Sequence, residues 1–275
     1  MPKNIIFSSL KESLALIWKS KSLFILLVVL QIAFFALFSL ISYNYVPKMV
    51  DSQKAIEDYL SNIKFDEVSV ASSMLQQKSI LGDDPLMISR NFNEIVRNLI
   101  LYLASIFVLL VFSISVFWAM TNKIIFKTSV KKLTKDFLKI FIVVLLYLGL
   151  IFIFFFSLLN IPLTGIAEES AKLLTKYIPF LVFSIILVYF MFVSISLLHK
   201  TGLKNIVQET LKIGVKKIHY VLAAYFINIF LFVISITLLI YFIEKNLFAL
   251  LISIILMLSI FIFGRLFVAK VVEKL

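Results

Sequence analysis

Apolar stretches of about 20 to 25 residues alternate with lysine-rich belts along this chain, and that alternation restricts the fold more than any single motif. A hydrocarbon core about 30 Å thick takes about 20 helical residues to cross. In lipid every backbone polar group must be satisfied within the segment, so runs of this length are read as helices. The stretch 201–243 has the form most plainly. It opens Thr201-Gly202-Leu203-Lys204, with Leu203, Ile206, Val207, Leu211 and Ile218 on one helical face and Lys204, Lys212 and Lys216 mostly off it. From Tyr220 it is almost uninterruptedly apolar for about 24 residues, enough to span with some tilt.

The same form, a basic amphipathic lead followed by a span, occurs three times. The first lead is 1–21, with Ile6, Phe7, Leu10, Leu14, Ile17 and Trp18 on one face. Such a helix lies in the interface plane, with Trp18 at headgroup depth. The second is 121–139, where Phe126, Val130, Leu133, Phe137 and Ile140 share a face. The third is 201–218. The expected architecture is therefore all-α and polytopic. Six transmembrane helices are expected at about 22–46, 98–120, 137–159, 179–198, 220–243 and 247–270, with three amphipathic helices on the cytoplasmic side. Residues 1–275 are read as a single membrane domain.

The apolar run that begins near Leu23 exceeds a secretory signal's 7–15-residue apolar core, and no small-x-small pattern follows it, so it reads as a retained first span. Pro47 is expected to stop it. Residues 48–97 hold eight of the fifteen acidic residues and read as an extracytoplasmic helical hairpin inserted between the first two spans. Within it, Asp83-Asp84-Pro85 reads as a turn, with Asp84 as N-cap and Pro85 at the first helical position. Asn160-Ile161-Pro162 ends the third span, Pro179 begins the fourth, and Glu244-Lys245-Asn246 is a tight turn into the sixth.

The composition agrees with a membrane chain: 62% of residues are hydrophobic and 15% charged, against about 25% charged in soluble domains. The absence of cysteine rules out disulfides, thiol nucleophiles and thiolate metal sites. The formal charge of +12 would point to nucleic acid in a soluble protein. Its location points elsewhere. With the N-terminus inside, 18 Lys/Arg and 4 acids fall on the inner side, against 9 and 11 on the outer side. Excess Lys/Arg marks the cytoplasmic face, which places both termini in the cytoplasm. There the charge meets anionic headgroups at roughly 1 kcal/mol per Lys/Arg. The candidate anionic-lipid contacts are Lys131, Lys132, Lys135, Lys204, Lys212, Lys216 and Lys217.

The leads begin alike, Ser8-Ser9-Leu10-Lys11, Thr128-Ser129-Val130-Lys131 and Thr201-Gly202-Leu203-Lys204. The even spans share Phe112-Ser113-Ile114-Ser115 and Val193-Ser194-Ile195-Ser196 near their inner ends, with Leu258-Ser259-Ile260 a fainter echo. Small residues there let helices approach closely. Two readings stand: a threefold internal repeat, or chance matches within low-complexity apolar sequence. Three parallel hairpins would pack around a pseudo-threefold, unlike an inverted repeat.

Residues able to carry chemistry are sparse. Arg265 is the one ionisable residue set within a span, readable as an anion contact in a cavity or as a side chain snorkelling to the inner surface. His199 and His219 flank the third lead; with no acid or thiol near them in sequence they read as solvated interfacial residues rather than a metal pair. Gln31, Asn228, Ser235 and Thr237 form a candidate polar path, or else hydrogen-bond between helices. No proline lies in the interior of an expected span, the spans carry no carboxylates, and there is no Walker loop, G-x-S-x-G or H-E-x-x-H. An ion-coupled transporter or an enzyme is disfavoured, and no cofactor is expected.

The lead Ser9-Leu10-Lys11-Glu12-Ser13-Leu14-Ala15-Leu16-Ile17-Trp18-Lys19, the recurring basic leads and the six spans resemble six-span prokaryotic membrane families akin to the membrane domain attached to some glycerophosphodiester phosphodiesterases. The resemblance covers the whole chain in pattern and rests on no diagnostic motif. With no catalytic domain in this sequence, it implies no activity. The expected function is a non-enzymatic module that contacts anionic lipid or docks a partner, either another protein or a second copy of the chain. The alternative is a permease or channel component for a neutral or lipidic substrate.

Overall fold

The computed structural model describes residues 4–62, 84, 86–159 and 169–275. Among these the chain is helical, with no strand: α1 (Ile5–Lys19), α2 (Lys21–Asn62), α3 (Leu86–Phe126), α4 (Val130–Leu159), α5 (Glu169–Thr201), α6 (Ile206–Lys216), α7 (Ile218–Phe242) and α8 (Leu247–Lys274). Six of them, α2, α3, α4, α5, α7 and α8, are long and apolar enough to cross a membrane. The chain is a multi-pass, all-α membrane protein.

Two helices run on where proline was expected to mark a boundary. Pro47 lies inside α2, which continues to Asn62, and Pro179 lies ten residues into α5. A proline removes one backbone hydrogen bond and crowds the preceding turn. Adding residues to a formed helix is far easier than nucleating a new one. Lys48, Met49, Lys54, Ala55 and Glu57, all good helix formers, follow Pro47 and carry the helix on.

The chain separates into two compact units, one of Met1–Ile32 with Val111–Leu275, the other of Ala33–Leu110. The smaller unit pairs the later part of α2 with the start of α3. Ser42 Oγ and Tyr102 OH lie 3.2 Å apart, and the Asp84 N–H donates to Tyr59 OH at 3.1 Å. Asp84 stands at the helix start as expected, its carbonyl accepting from Met87 N–H at 3.0 Å and its carboxylate paired with Arg90. The flanks of the expected hairpin are thus extensions of the first two spanning helices. Its tip, with Asp83 and Pro85, lies outside the described residues, as does Asn160-Ile161-Pro162.

In the larger unit the C-terminal half of α8 is the central element. Leu258, Ile262, Leu266, Phe267, Val271 and Val272 are fully buried there. α8 packs against α7, α5 and α1, and α5 in turn packs against α4 and α6. Asn246 sets the α7–α8 turn, its Oδ1 accepting from Phe248 N–H at 2.9 Å and Ala249 N–H at 3.1 Å. The end of α8 returns to α1 through Lys274 Nζ, 2.7 Å from Glu12 Oε1 and 3.0 Å from Ser8 Oγ. The serine pairs are buried: Ser113 and Ser115 on α3, Ser194 and Ser196 on α5. Ser194 Oγ sits 3.0 Å from Thr210 Oγ1 of α6 and 3.1 Å from Tyr147 OH of α4, joining three helices.

The three similar lead openings take different positions. Asn4 caps α1, so Ser8-Ser9 falls within the helix; Ser129 immediately precedes α4; Gly202, at φ +68°, lies in the turn before α6. The first and third leads are separate short helices. The second is broken at Lys127, and its remainder, from Val130, is continuous with the third span.

Candidate functional site

Within the larger unit a cavity of about 340 Å³ lies between α3, α5, α7 and α8. Phe117 and Trp118 of α3, Phe192 of α5, Tyr225, Asn228 and Phe232 of α7, and Gly264 and Arg265 of α8 line it. Ile229 and Phe261, also in the lining, are exposed and form an apolar rim.

Arg265 is placed here because its helix is buried on either side of it. Gly264, Leu266 and Phe267 are packed, so the guanidinium turns into the bundle. It lies over the Phe117 ring at 4.9 Å from the centroid. The Gln31 amide of α2 satisfies its neighbours with Oε1 accepting from Arg265 Nη2 at 3.1 Å and Nε2 donating to Leu258 O at 3.0 Å. Arg265 Nε is buried and has no hydrogen-bond partner, and no carboxylate forms an ion pair with Arg265 among the described residues. The guanidinium thus lines the cavity beside the Phe117 ring.

Gly264 permits the second polar group. A Cβ there would stand 3.2 Å from Asn228 Cγ and Nδ2, so a larger residue would make the Asn228 amide give way by a few tenths of an ångström; with glycine in place its Nδ2 donates to Gly264 O at 3.2 Å. Asn228 Oδ1 is left without a partner, as is Tyr225 OH one helical turn earlier.

Of the four polar-path residues, Gln31 and Asn228 are brought to the Arg265 neighbourhood. Ser235 is buried but donates to Phe232 O of its own helix at 2.8 Å. Thr237 is exposed and donates to Val233 O at 2.9 Å. The aromatic walls, Phe117, Trp118 and Tyr225, were not singled out in the sequence, since aromatic residues are spread through every span.

His199 differs from its expectation. It is nearly buried, stacked on Phe126 at 3.8 Å between centroids, with Nδ1 3.5 Å from Asp136 Oδ2 and Nε2 3.4 Å from Lys132 Nζ. Asp136 is 63 positions away in sequence and reaches it only because α4 packs on α5. His219 is exposed beside Tyr220, so the histidines do not pair. Among the described residues no group of three acids, histidines or cysteines could hold a metal ion.

Lys131, Lys132 and Lys135 at the start of α4, Lys204 before α6, and Lys212, Lys216 and Lys217 along and after α6 are all exposed. α6 presents three sectors. Ile206, Thr210, Ile213 and Gly214 face the protein; Val207, Leu211, Val215 and Ile218 form an exposed apolar stripe; Lys212 and Lys216 lie beyond it. Gly214 makes the inward contact close: Tyr189 OH donates to its carbonyl at 2.8 Å, and a Cβ would meet Phe190 Cε1 at 2.8 Å. α1 is built the same way, with Ser9 and Ser13 inward and Phe7, Leu14 and Trp18 exposed. Compared with known proteins, the chain matches no family model, no curated protein and no solved structure.

Proposed function

We propose that this protein is a non-enzymatic, lipid-engaging module of the cytoplasmic membrane, with both termini and the lysine-bearing ends of its helices in the cytoplasm. The observation that carries this reading is the three-sector surface of α6. One sector docks on α5, one offers Val207, Leu211 and Val215 to acyl chains, and one offers Lys212 and Lys216 to headgroups. An interfacial helix needs that arrangement. The partners are anionic lipids, with a protein or a second copy of the chain able to use the same collar, and nucleic acid is not required. The resemblance to the membrane domain of the phosphodiesterase families belongs to this reading and brings no activity with it.

The test replaces Lys131, Lys132, Lys216 and Lys217 by glutamine and reads the lipid retained in nanodiscs of mixed phosphatidylglycerol and phosphatidylcholine. Enrichment of the anionic lipid around the native protein, lost in the variant, is expected; equal enrichment in both sinks the reading. The cysteine-free chain also permits a clean topology test. A cysteine introduced at Lys204 is expected to react with an impermeant maleimide only after the cells are opened.

The cavity favours a second reading, a permease for a neutral or lipidic substrate. Faster exchange of a fluorescent lipid between the leaflets of proteoliposomes would support it over the first.

A further inference from the structure

The basic collar does not account for Arg265. A guanidinium stays protonated in proteins, and a charge held in a low-dielectric site without a counter-charge is destabilising by several kcal/mol. The neutral Gln31 amide and the Phe117 ring offset only part of this. Three polar atoms in one small space lack partners: Arg265 Nε, the Tyr225 hydroxyl and Asn228 Oδ1. The first two can donate to an anionic oxygen, and the third accepts from a hydroxyl. Around them the wall is aromatic and aliphatic, and the rim at Ile229 and Phe261 is apolar and exposed, so access is from the hydrocarbon rather than from water. At about 340 Å³ the cavity lies at the small end of ligand pockets, which run from about 300 to 1,000 Å³. It has room for one chain near its head, not for a whole two-chain lipid.

We propose that this cavity binds a single-chain anionic amphiphile, its carboxylate or phosphate monoester held by Arg265 and Tyr225 and its chain lying along Phe117 and Trp118 toward the Ile229–Phe261 rim. A hydroxyl next to the acid group, as in a lysophosphatidic acid, is accepted by Asn228 Oδ1. Charge complementarity selects the head and the apolar rim selects the tail, so neither a neutral lipid nor a small water-soluble anion satisfies both.

Trp118 reports on the site directly. The chain has two tryptophans, and the other, Trp18, is 70% exposed on α1 and is removed by Trp18→Phe. In that background the full-length protein in detergent is titrated with a dibrominated fatty acid and with the methyl ester of the same acid. The acid is expected to quench Trp118 at concentrations about tenfold lower than the ester. Unlabelled lysophosphatidic acid should restore the fluorescence, and the monoacylglycerol of the same chain should not. Arg265→Gln should abolish the preference for the acid, and Arg265→Lys should keep part of it. Equal quenching by acid and ester with Arg265 in place overturns the proposal without reference to any cavity variant, so a poorly folding Arg265→Gln does not protect it. Displacement of the acid by millimolar inorganic phosphate also overturns it, since the site would then take a free anion. An unchanged acid preference in a folded Arg265→Gln protein has the same effect.

Discussion

Two basic side chains sit at the packed end of the larger unit, and the chain treats them differently: burial and the Lys132 charge lower the pKa of His199, whereas a guanidinium stays charged. His199, at the end of α5, has an acid on one ring nitrogen, a lysine near the other and the Phe126 ring against its face. Arg265, on α8, has an amide, a phenyl ring and an unmet Nε. In the first cluster side chains of α3, α4 and α5 surround the ring, with Asp136 Oδ2 3.5 Å from Nδ1 and no hydrogen bond between the two atoms. The second holds charge that the chain's described residues do not neutralise, in a space large enough for another molecule. An acid stands within reach of the nearly buried imidazole, whereas the Arg265 guanidinium faces a cavity with no acid beside it among the described residues.

Both clusters depend on the packing of α8 and α5. Phe267→Ala, at a fully buried position on α8, is expected to lower stability by about 3 kcal/mol, near the bottom of the range for such truncations. A thermal unfolding scan in detergent reads it. Loss of that size should weaken acid binding at the cavity as well; a stable protein with an intact cavity would mean that α8 is not the central element.

The contrast itself is tested by neutralising each cluster. Asp136→Asn removes the acid beside His199 and is expected to cost about 1–3 kcal/mol by leaving nearly buried polar atoms poorly matched. Arg265→Met removes a charge with no counter-ion, and the unliganded protein should be as stable as the native one or more so. If the signs are reversed, Arg265 is the structural charge and His199 the one to explain. Gly214→Ala pushes a methyl group against Phe190 and should cost about 1 kcal/mol, at the lower end for overpacking because a half-buried ring can yield. It is expected to loosen α6 while leaving the cavity's acid preference intact. The smallest effect is expected from replacing Lys131, Lys132, Lys216 and Lys217 by glutamine: unfolding temperature should hardly move, because exposed charges of this kind contribute little to folding. Only lipid enrichment should change.

Much of the fold could be read before any packing was known. The six long apolar helices, the turn at Asn246 and the helix start near Asp84 follow from local chemistry. Pro47 misled because proline's local penalty was weighed without the neighbouring residues that carry α2 onward. The amphipathic faces of α1 and α6 were half legible. Apolar residues were identified, yet on α1 and α6 much of the apolar stripe is exposed, and the protein-facing sector of α1 is serine while that of α6 includes Thr210 and Gly214. In a soluble protein the apolar face turns inward. Next to lipid it has two apolar surroundings to choose from, and small residues win the protein side because they let backbones approach.

Hydropathy and helical period are properties of neighbouring residues, and they were enough to establish a helical, membrane-crossing chain with basic belts. Which side chains meet was decided by packing: Asp136 reaching His199 across helices, Gly264 making room for Asn228, and Arg265 turning into a cavity. Periodicity along one helix places a residue on a face but does not say what stands opposite, and partners lying 36 to 63 positions apart are chosen only when the helices come together.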